Sequence, residues 1–572
     1  MTNLHNIAEE TEACDVALAV GCRHGLVPST NQIRESATTE RRGFDLCAIS
    51  LFVLSAAYLF LFRRYSMMDP DEGIVLQGAQ RILGGQVLYR DFFSFFAPGS
   101  YYLYALLFKL FGSSIIVART ALAVIGAGCS VISYVLARRV CSHAAAILLG
   151  IVVTLTTVPY RFLVLHNWDS TLWACLATYA AVRLLESPNW GWAAVLGSFV
   201  SLTLLFEQSK GVTLAAGLGV GYIAIEAFGG KSRLWTVRSM AGLVVGLLWP
   251  LGVTAAYFIS QGAYGAMLSD LAWPFRHYSI ANRVPYGYQN WGPETQHQLF
   301  GTGSLPIRVV TLFAMSPCLV AVALPLLALP LLAYWTVKLR RTPTSCPESR
   351  YYILISAALL GLLASVVAVR SDVVHFVYLQ PLFLLILAWL VDGSGMPLRN
   401  PKNLRLVLGA LVLCGFFLMG AALFVGRAGL APNLTTRRGA VITTSPDTVV
   451  PYFREHVKPG DTVLVYPYLP LYYYLTDTKS PSPYEYFQPG MSTPAQAREI
   501  VSALDSQRVR VVLLETDFVK KIPTSWPGTP ASAIANDAVA DYIGREYRAC
   551  AALRSPSDWQ FQFMVRKDSP CP

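Results

Sequence analysis

The sequence predicts an α-helical polytopic membrane protein with about 11 transmembrane helices and a C-terminal soluble α/β domain. Hydrophobic residues make up 54% of the 572 residues and charged residues only 14%, whereas a typical soluble chain holds about 25% charged residues. Long apolar runs also recur between short polar loops, a pattern that a bilayer accommodates and a single soluble core does not. Intrinsic disorder, a coiled coil and most water-soluble enzymes are thereby excluded.

Eleven apolar segments have roughly the length, about 20 residues, that a helix needs to cross a bilayer. They lie at 44–62, 115–137, 143–159, 170–186, 190–206, 212–228, 239–259, 307–335, 351–369, 373–391 and 406–426. Together they define a predicted transmembrane domain at 44–430, preceded by a polar cytoplasmic tail at 1–43.

Basic residues cluster in the loops that follow every second apolar segment, such as Arg138–Arg139 and Lys338–Arg341. Because cytoplasmic loops carry the excess of Lys and Arg, we expect a multi-pass protein of the cytoplasmic (inner) membrane with its N-terminus inside. Residues 440–572 hold 13 Lys and Arg against 14 Asp and Glu, so the net charge of +11 belongs to the hydrophobic part. The charge therefore indicates orientation in a lipid bilayer and no nucleic-acid partner.

The segment 440–572 has the pattern of a water-soluble domain, which this topology places outside the cytoplasm. Strands are predicted at 462–466, 509–515 and 560–565, and helices at 493–504 and 536–547. Strands that alternate with helices predict a small α/β domain. Cys550 and Cys571 are expected to pair only if this domain faces an oxidising compartment.

The outer loop 63–114 opens with three carboxylates, those of Asp69, Asp71 and Glu72. One interpretation is functional: a carboxylate at this place deprotonates a hydroxyl or holds a divalent cation. The acids also fit the first turn of a helix that begins at Pro70, where negative charge complements the helix dipole. The sequence leaves both interpretations open, and a divalent metal is the one cofactor that these acids would call for.

Two helical patterns follow in the same loop, at 73–84 and 98–112, and both are too short and polar to cross a membrane. The loop carries four notable motifs: Asp71-Glu72-Gly73, Ala79-x-Arg-Ile-Leu-x-Gly-Gln86, Tyr89-Arg90-Asp91-Phe92, and Pro98-Gly99 before a Tyr-rich helix. In these motifs the loop resembles the first outer loop of bacterial GT-C glycosyltransferases, in the group related to ArnT, Rgt-like enzymes and protein mannosyltransferases.

The resemblance implies a GT-C-like transmembrane domain that moves a sugar from a polyprenyl-phosphate donor to a glycan, lipid or protein acceptor at the outer membrane face. It implies an essential acid in the loop, which Asp71 matches best, with Glu72 beside it. Asp69, Tyr89, Arg90 and Asp91 would support the loop.

A second acid of the family matches Asp169, which would act in catalysis or join Asp71 in binding a divalent metal. A helix N-cap is the alternative role for Asp169. Lys210 interrupts two apolar runs on the outer side and would hold the donor phosphate; a snorkelling lysine is the alternative. Arg119, at the outer end of the second segment, is predicted to be a snorkelling anchor.

Arg370 and His375 lie where the ninth and tenth segments meet on the outer side, and they complete the expected phosphate site. A guanidinium is always charged and binds phosphate through two N–H donors. The alternative for His375 is a histidine that only makes hydrogen bonds to its own neighbours in the fold. The predicted reaction inverts the configuration at the anomeric carbon, with Asp71 as base or metal ligand. A transporter or flippase of lipid-linked sugars stays open as the alternative, because it too would need the spans and the buried charges.

Overall fold

The computed structural model describes residues 45–229, 236–289, 297, 301, 304–342, 348–393, 402–487, 492–533, 537–556 and 559–572. The predicted tail at 1–43 lies outside these residues. The chain divides into two units, Met1–Ser50 and Leu51–Pro572, and the description below concerns the second.

The part of the chain before residue 430 is helical. Its helices are α1 (Leu46–Phe60), α2 (Pro70–Leu83), α3 (Gly99–Phe111), α4 (Ile115–Ala137), α5 (His143–Thr156), α6 (His166–Glu186), α7 (Trp190–Phe206), α8 (Gln208–Phe228), α9 (Val237–Ser260), α10 (Tyr264–Leu271), α11 (Ser279–Asn282), α12 (Leu305–Ala323), α13 (Ala328–Arg341), α14 (Ser349–Val369), α15 (Val373–Tyr378), α16 (Gln380–Asp392) and α17 (Lys402–Arg427).

Among the described residues, seven helical segments are long and apolar enough to cross a membrane. They are Ile115–Ala137, His143–Arg161, Gln208–Phe228, Val237–Ser260, Arg308–Arg341, Ser349–Val369 and Asn403–Arg427. Shorter apolar helices are Leu46–Phe60, Trp190–Phe206 and Gln380–Asp392. The polytopic helical body is confirmed, while the count of eleven spans stays a prediction.

The predicted span at 373–391 is not one helix, because α15 ends at Tyr378 and α16 begins at Gln380. Pro381 occupies the first turn of α16. Proline has no backbone N–H to bond the preceding turn, so it fits a new helix start better than a helix interior. The Asp372 side chain caps α15 by accepting from the backbone N–H of His375 at 3.0 Å.

Both short helices predicted in the loop 63–114 are present as α2 and α3. The Asp69 side chain caps α2 by accepting from the backbone N–H of Asp71 at 3.0 Å, and Pro70 occupies the first turn. Unpaired N–H groups at a helix start favour such a cap. The interpretation of the acidic motif as a helix start is therefore correct for the backbone. Any further role of the three acids depends on the contacts of their side chains.

The C-terminal region contains the predicted strands and helices with small shifts of their ends. Its elements are β1 (Leu434–Thr436), β2 (Gly439–Val441), α18 (Val449–His456), β3 (Val463–Tyr466), α19 (Leu471–Thr476), α20 (Pro494–Ser506), β4 (Val511–Glu515), α21 (Phe518–Ser525), α22 (Ala538–Glu546), β5 (Tyr547–Arg554) and β6 (Gln560–Arg566). The four-stranded sheet has the order β3-β4-β6-β5, with β3 and β4 parallel and the other pairs antiparallel. Cys550 and Cys571 form a disulfide.

The C-terminal region shares a hydrophobic core with α2 and α3. This core joins Leu76 and Phe108 to the tyrosines of α19, Tyr472–Tyr474, which are fully buried. The tyrosine run thus contributes to the packing of this core. At Gly73 an added Cβ would lie 2.1 Å from the backbone nitrogen of Leu471. Glycine at this position permits α2 and the start of α19 to touch through their backbones.

Candidate active site

A cavity of about 350 Å³ opens where the start of α2, the loop before α6, the start of α8 and the loop before α15 meet the C-terminal region. Charged and polar residues from all of these segments line it, and they include Asp69, Asp71, Arg161, His166, Glu207, Arg370, Asp372 and His375. The cavity therefore brings together Asp69, Asp71, Arg370 and His375, four of the residues that the sequence singled out.

The acidic wall of the cavity consists of Asp69 and Asp71, joined by Arg161. Arg161 Nη2 lies 2.7 Å from Asp69 Oδ2 and 3.5 Å from Asp71 Oδ2. The hydroxyl of Tyr468 donates a hydrogen bond of 2.8 Å to Asp71 Oδ1. One hydrogen bond and one longer ion-pair contact thus reach Asp71, and because its side chain is 40% exposed it remains accessible to a molecule in the cavity.

Burial is the main influence on Asp69 and raises its pKa to about 6. Arg161 opposes this effect, and the carboxylates of Asp71 and Glu72 add to it. Three acids at one helix start repel one another, so a proton on Asp69 relieves part of the repulsion.

The basic wall of the cavity consists of Arg370 and His375, which share Asp372 as their partner. Arg370 Nε lies 2.5 Å from Asp372 Oδ2, and His375 Nδ1 lies 2.6 Å from Asp372 Oδ1. Burial alone would raise the pKa of Asp372, but His375 and Arg370 together hold it well below its usual range. One ionised carboxylate thus fixes both groups, as a partner on one ring nitrogen commonly does for histidine.

Arg370 has two further partners, since its Nη1 donates to Asn282 Oδ1 at 3.1 Å and its Nη2 to the Ser525 carbonyl at 2.6 Å. Each terminal nitrogen carries two hydrogens, so donors remain after these bonds are made. The guanidinium is fixed by three segments and faces the cavity that it lines.

Lys210 does not line this cavity. It lines a neighbouring space of about 10 Å³, whose walls also include Glu207 and His375. Its ammonium lies 2.9 Å from Glu207 Oε2 and donates to the Asn167 carbonyl, Ser170 Oγ and Thr171 Oγ1 at 2.8–3.1 Å. Protein oxygens thus surround the charge, and direct contact with a donor phosphate stays a prediction.

Glu72 and Asp169 both lie outside the cavity lining. Glu72 forms an ion pair with Arg119 through two contacts of 2.9 and 2.5 Å, and both side chains are completely buried. The expectation that Arg119 snorkels to the surface is therefore wrong, because a buried carboxylate neutralises it. Asp169, 1% exposed, accepts hydrogen bonds from Ser100 Oγ at 2.5 Å and Tyr104 Oη at 3.2 Å.

The predicted metal pair is not assembled in this arrangement, because Asp71 faces the cavity and both oxygens of Asp169 are engaged elsewhere. Within the described ranges, no group of three or more His, Cys, Asp or Glu side chains is arranged to hold a metal ion. A metal requirement stays a prediction.

The loop residues Tyr89, Arg90 and Asp91 also lie outside the cavity lining. Tyr89 Oη donates to the Phe96 carbonyl at 2.8 Å, and Arg90 pairs with Asp91 at 2.8 Å. Asp91 in turn accepts from the backbone N–H of Val87 at 2.7 Å. These bonds hold the loop between α2 and α3.

Sequence reasoning missed the residues that join the acids to the rest of the site. Arg161 had a signal, since it is a lone cation between two apolar segments on the predicted outer side. The aromatic side chains of Tyr468, Trp526 and Trp559 also line the cavity, but the C-terminal region gave no motif that would have identified them. Only the contact between distant segments reveals these three.

Comparison with known proteins bears on the family and the fold. A sequence model of the dolichyl-phosphate-mannose-protein mannosyltransferase family matches residues 96–254, less than half of the chain. No curated protein sequence matches the chain. The structure of ArnT from Cupriavidus metallidurans bound to undecaprenyl phosphate is 13% identical, with a TM-score of 0.51, and the match covers 91% of this chain and 98% of that one.

Two further structures match at lower scores. The oligosaccharyltransferase AglB from Archaeoglobus fulgidus is 10% identical with a TM-score of 0.45, over 91% of this chain and 75% of AglB. The arabinofuranosyltransferase AftD from Mycobacteria is 12% identical with a TM-score of 0.42, over 91% and 41%. The likeness to ArnT along nearly the whole of both chains confirms the GT-C-like fold, and with the family match it confirms the resemblance first found in the loop 63–114.

Proposed function

We propose that the protein is a glycosyltransferase that moves a sugar from a polyprenyl-phosphate donor to an acceptor hydroxyl. The observation that carries this proposal is the cavity in which the partly exposed carboxylate of Asp71 faces the fixed guanidinium of Arg370 and the fixed imidazole of His375. A base and a phosphate site in one cavity are what the transfer of a sugar away from a lipid phosphate needs. The GT-C-like fold, which ArnT bound to undecaprenyl phosphate also has, supports a lipid-linked donor.

In the proposed reaction, Asp71 accepts the proton of the acceptor hydroxyl while the hydroxyl oxygen attacks the anomeric carbon. The bond from that carbon to the phosphate oxygen breaks, its electrons stay on the lipid phosphate, and the configuration inverts. Arg370 and His375 stabilise the charge that grows on the phosphate. Donors already held in place by Asp372 need no reorganisation as this charge develops.

Lys210 supports the same site indirectly, because its ammonium lines the smaller cavity together with His375 and Glu207. Asp71 is the one predicted metal ligand that faces the cavity, and a divalent ion bound there would polarise the acceptor oxygen. Asp169 is held by Ser100 and Tyr104 and does not fit this role.

The proposed reaction takes place at the outer face of the cytoplasmic membrane. The distribution of basic loops supports an inner N-terminus. The disulfide between Cys550 and Cys571 supports a C-terminal region in an oxidising compartment. A glycan, a lipid or a protein is the acceptor class, and hexosyl and pentosyl donors both fit the proposal.

The direct test is incubation of the purified protein in lipid vesicles with a panel of polyprenyl-phosphate hexoses and pentoses and candidate acceptors. Release of lipid phosphate and sugar incorporation are measured together. Asp71→Asn is expected to lower kcat by about 10²–10⁴-fold, the usual contribution of a general base. Asp568→Asn, an exposed acid paired with Arg508, is the matched control and should keep the wild-type rate.

Full activity of Asp71→Asn would contradict the proposed role of this carboxylate. Movement of the lipid-linked sugar across the vesicle bilayer without release of lipid phosphate would instead favour the transport alternative.

A further inference from the structure

Tyr468 lies in the turn between β3 and α19 and connects the C-terminal region to the acid of the cavity. Its hydroxyl donates to Asp71 Oδ1 at 2.8 Å across 397 residues of sequence. Arg161 approaches the other carboxylate oxygen at 3.5 Å. One oxygen of Asp71 therefore accepts a hydrogen bond from the C-terminal region, and the other has a longer ion-pair contact with Arg161.

The backbone around Tyr468 is fixed against α2. Three residues after Tyr468, the backbone of Leu471 touches Gly73, which lies two residues after Asp71; a Cβ on Gly73 would approach Leu471 N to 2.1 Å. A contact this close between two main chains leaves no room for sliding. The distance between the Tyr468 hydroxyl and the Asp71 carboxylate is thus set by main-chain packing.

The ring of Tyr468 is also fixed, because aromatic side chains surround it. Its centroid lies 5.4 Å from that of Trp526 in an edge-to-face arrangement, 6.2 Å from that of Phe518 and 6.4 Å from that of Trp559. The side chain is 5% exposed. Such edge-to-face packing holds a ring in one orientation, so the hydroxyl is aimed at Asp71.

We propose that Tyr468 is a positioning residue for Asp71, through which the C-terminal region completes the active site. This inference rests on the proposed function, in which Asp71 is the base. A carboxylate held at Oδ1 by Tyr468 presents Oδ2, on the side of Arg161, to the acceptor hydroxyl. Without the phenol hydroxyl, the carboxylate rotates about its χ2 angle, and fewer encounters place an oxygen in line with the acceptor proton.

The test is Tyr468→Phe, which removes one hydroxyl and leaves the packed ring in place. We expect kcat to fall about 10- to 100-fold, the usual range for a hydrogen bond to a charged group. KM for donor and acceptor should change by less than about twofold, because the hydroxyl is engaged with Asp71 and not with a substrate. Thermal unfolding should show that the variant is folded.

Tyr472→Phe is the matched control. Tyr472 is also a buried tyrosine of the C-terminal region, and its hydroxyl donates to Asp447 Oδ2 at 2.6 Å, outside the cavity lining. This variant loses an equivalent tyrosine–carboxylate hydrogen bond and should keep the wild-type kcat. An equal loss of kcat in both variants would show that Tyr468→Phe acts through stability and would overturn the proposal.

Two other outcomes also overturn it. An unchanged kcat in Tyr468→Phe means that Asp71 does not depend on this hydrogen bond, and a raised acceptor KM with unchanged kcat means that Tyr468 binds substrate instead. If Asp71→Asn abolishes transfer while Tyr468→Phe keeps it, the positioning role fails and the proposed function stands. If Asp71→Asn keeps full transfer, the proposed function itself fails.

Discussion

Asp71 and Glu72 are neighbours in the first turn of α2, yet they belong to two different regions. Asp71 is 40% exposed on the cavity side, with Tyr468 and Arg161 as partners. Glu72 is completely buried on another side of the helix, where it pairs with Arg119 and accepts from the backbone N–H of Val164 at 3.2 Å. One region keeps an acid available to a ligand, and the other uses an acid to neutralise a buried cation.

This difference follows from helix geometry, because adjacent residues of a helix point about 100° apart. A pair of acids at a helix start therefore serves two surfaces at once. An ion pair that excludes water fixes the position of the helix, and an acid beside a cavity is free to react. The contrast teaches that three clustered carboxylates need not form one functional unit.

The largest effect is expected from the buried region. Glu72→Ala leaves the charge of Arg119 buried and without its carboxylate, and breaking a buried ion pair in this way costs about 3–5 kcal/mol. We expect little folded protein, measured as monodisperse material after size-exclusion chromatography in detergent and as the midpoint of thermal unfolding. Asp71→Asn, on the exposed side of the same turn, should unfold near the wild-type midpoint.

A stable, monodisperse Glu72→Ala protein that has lost transfer activity would contradict the division of roles between a structural Glu72 and a reactive Asp71. Glu72 would then act in the reaction, as the loop resemblance first suggested, and its pairing with Arg119 would not describe the working enzyme.

A smaller effect is expected at the basic wall, from Arg370→Lys. A lysine keeps the charge but cannot reach Asp372, Asn282 and the Ser525 carbonyl together, as the planar guanidinium does. We expect kcat/KM for the lipid-linked sugar to fall about 10- to 100-fold, with a rise in KM. The reason is that a hydrogen-bonding group that should contact the lipid phosphate is misplaced. Steady-state kinetics with a polyprenyl-phosphate sugar measures this.

Arg508→Lys is the control for this substitution, since Arg508 is 76% exposed and pairs with Asp568. An unchanged donor KM in Arg370→Lys would place the phosphate away from the basic wall.

The sequence predicted well what depends on local patterns. The proline, the acids and the apolar spacing predicted α2 and α3 to within a few residues. Buried apolar runs predicted β3 and β4, and alternation predicted β6. Arg161 and Tyr468 could not be assigned, because they reach Asp69 and Asp71 across 92 and 397 residues. The same limit applies to Arg119, since a lone arginine at a helix end snorkels or pairs according to what packs against it.

The smallest effect concerns Asp69, between the two regions. Burial raises the pKa of Asp69 to about 6, above the value of about 3.9 in an unfolded chain. Between these pH values the folded protein holds a proton that the unfolded chain has lost, so this group's contribution to stability falls as pH rises. Asp69→Asn cannot titrate and lacks this decline.

We therefore expect the unfolding midpoint of the wild type to fall relative to that of Asp69→Asn as pH rises from about 4.5 to about 6.5. The change should be on the order of 1–2 °C, because one group in a large protein moves the midpoint little. Thermal unfolding of both proteins across this range measures it, and Asp568→Asn serves as the exposed control. Parallel curves for wild type and Asp69→Asn would mean that Asp69 stays ionised beside Arg161. The acidic wall would then carry both negative charges at neutral and mildly acidic pH, and Arg161 would remain engaged with Asp69 when a phosphate enters the cavity.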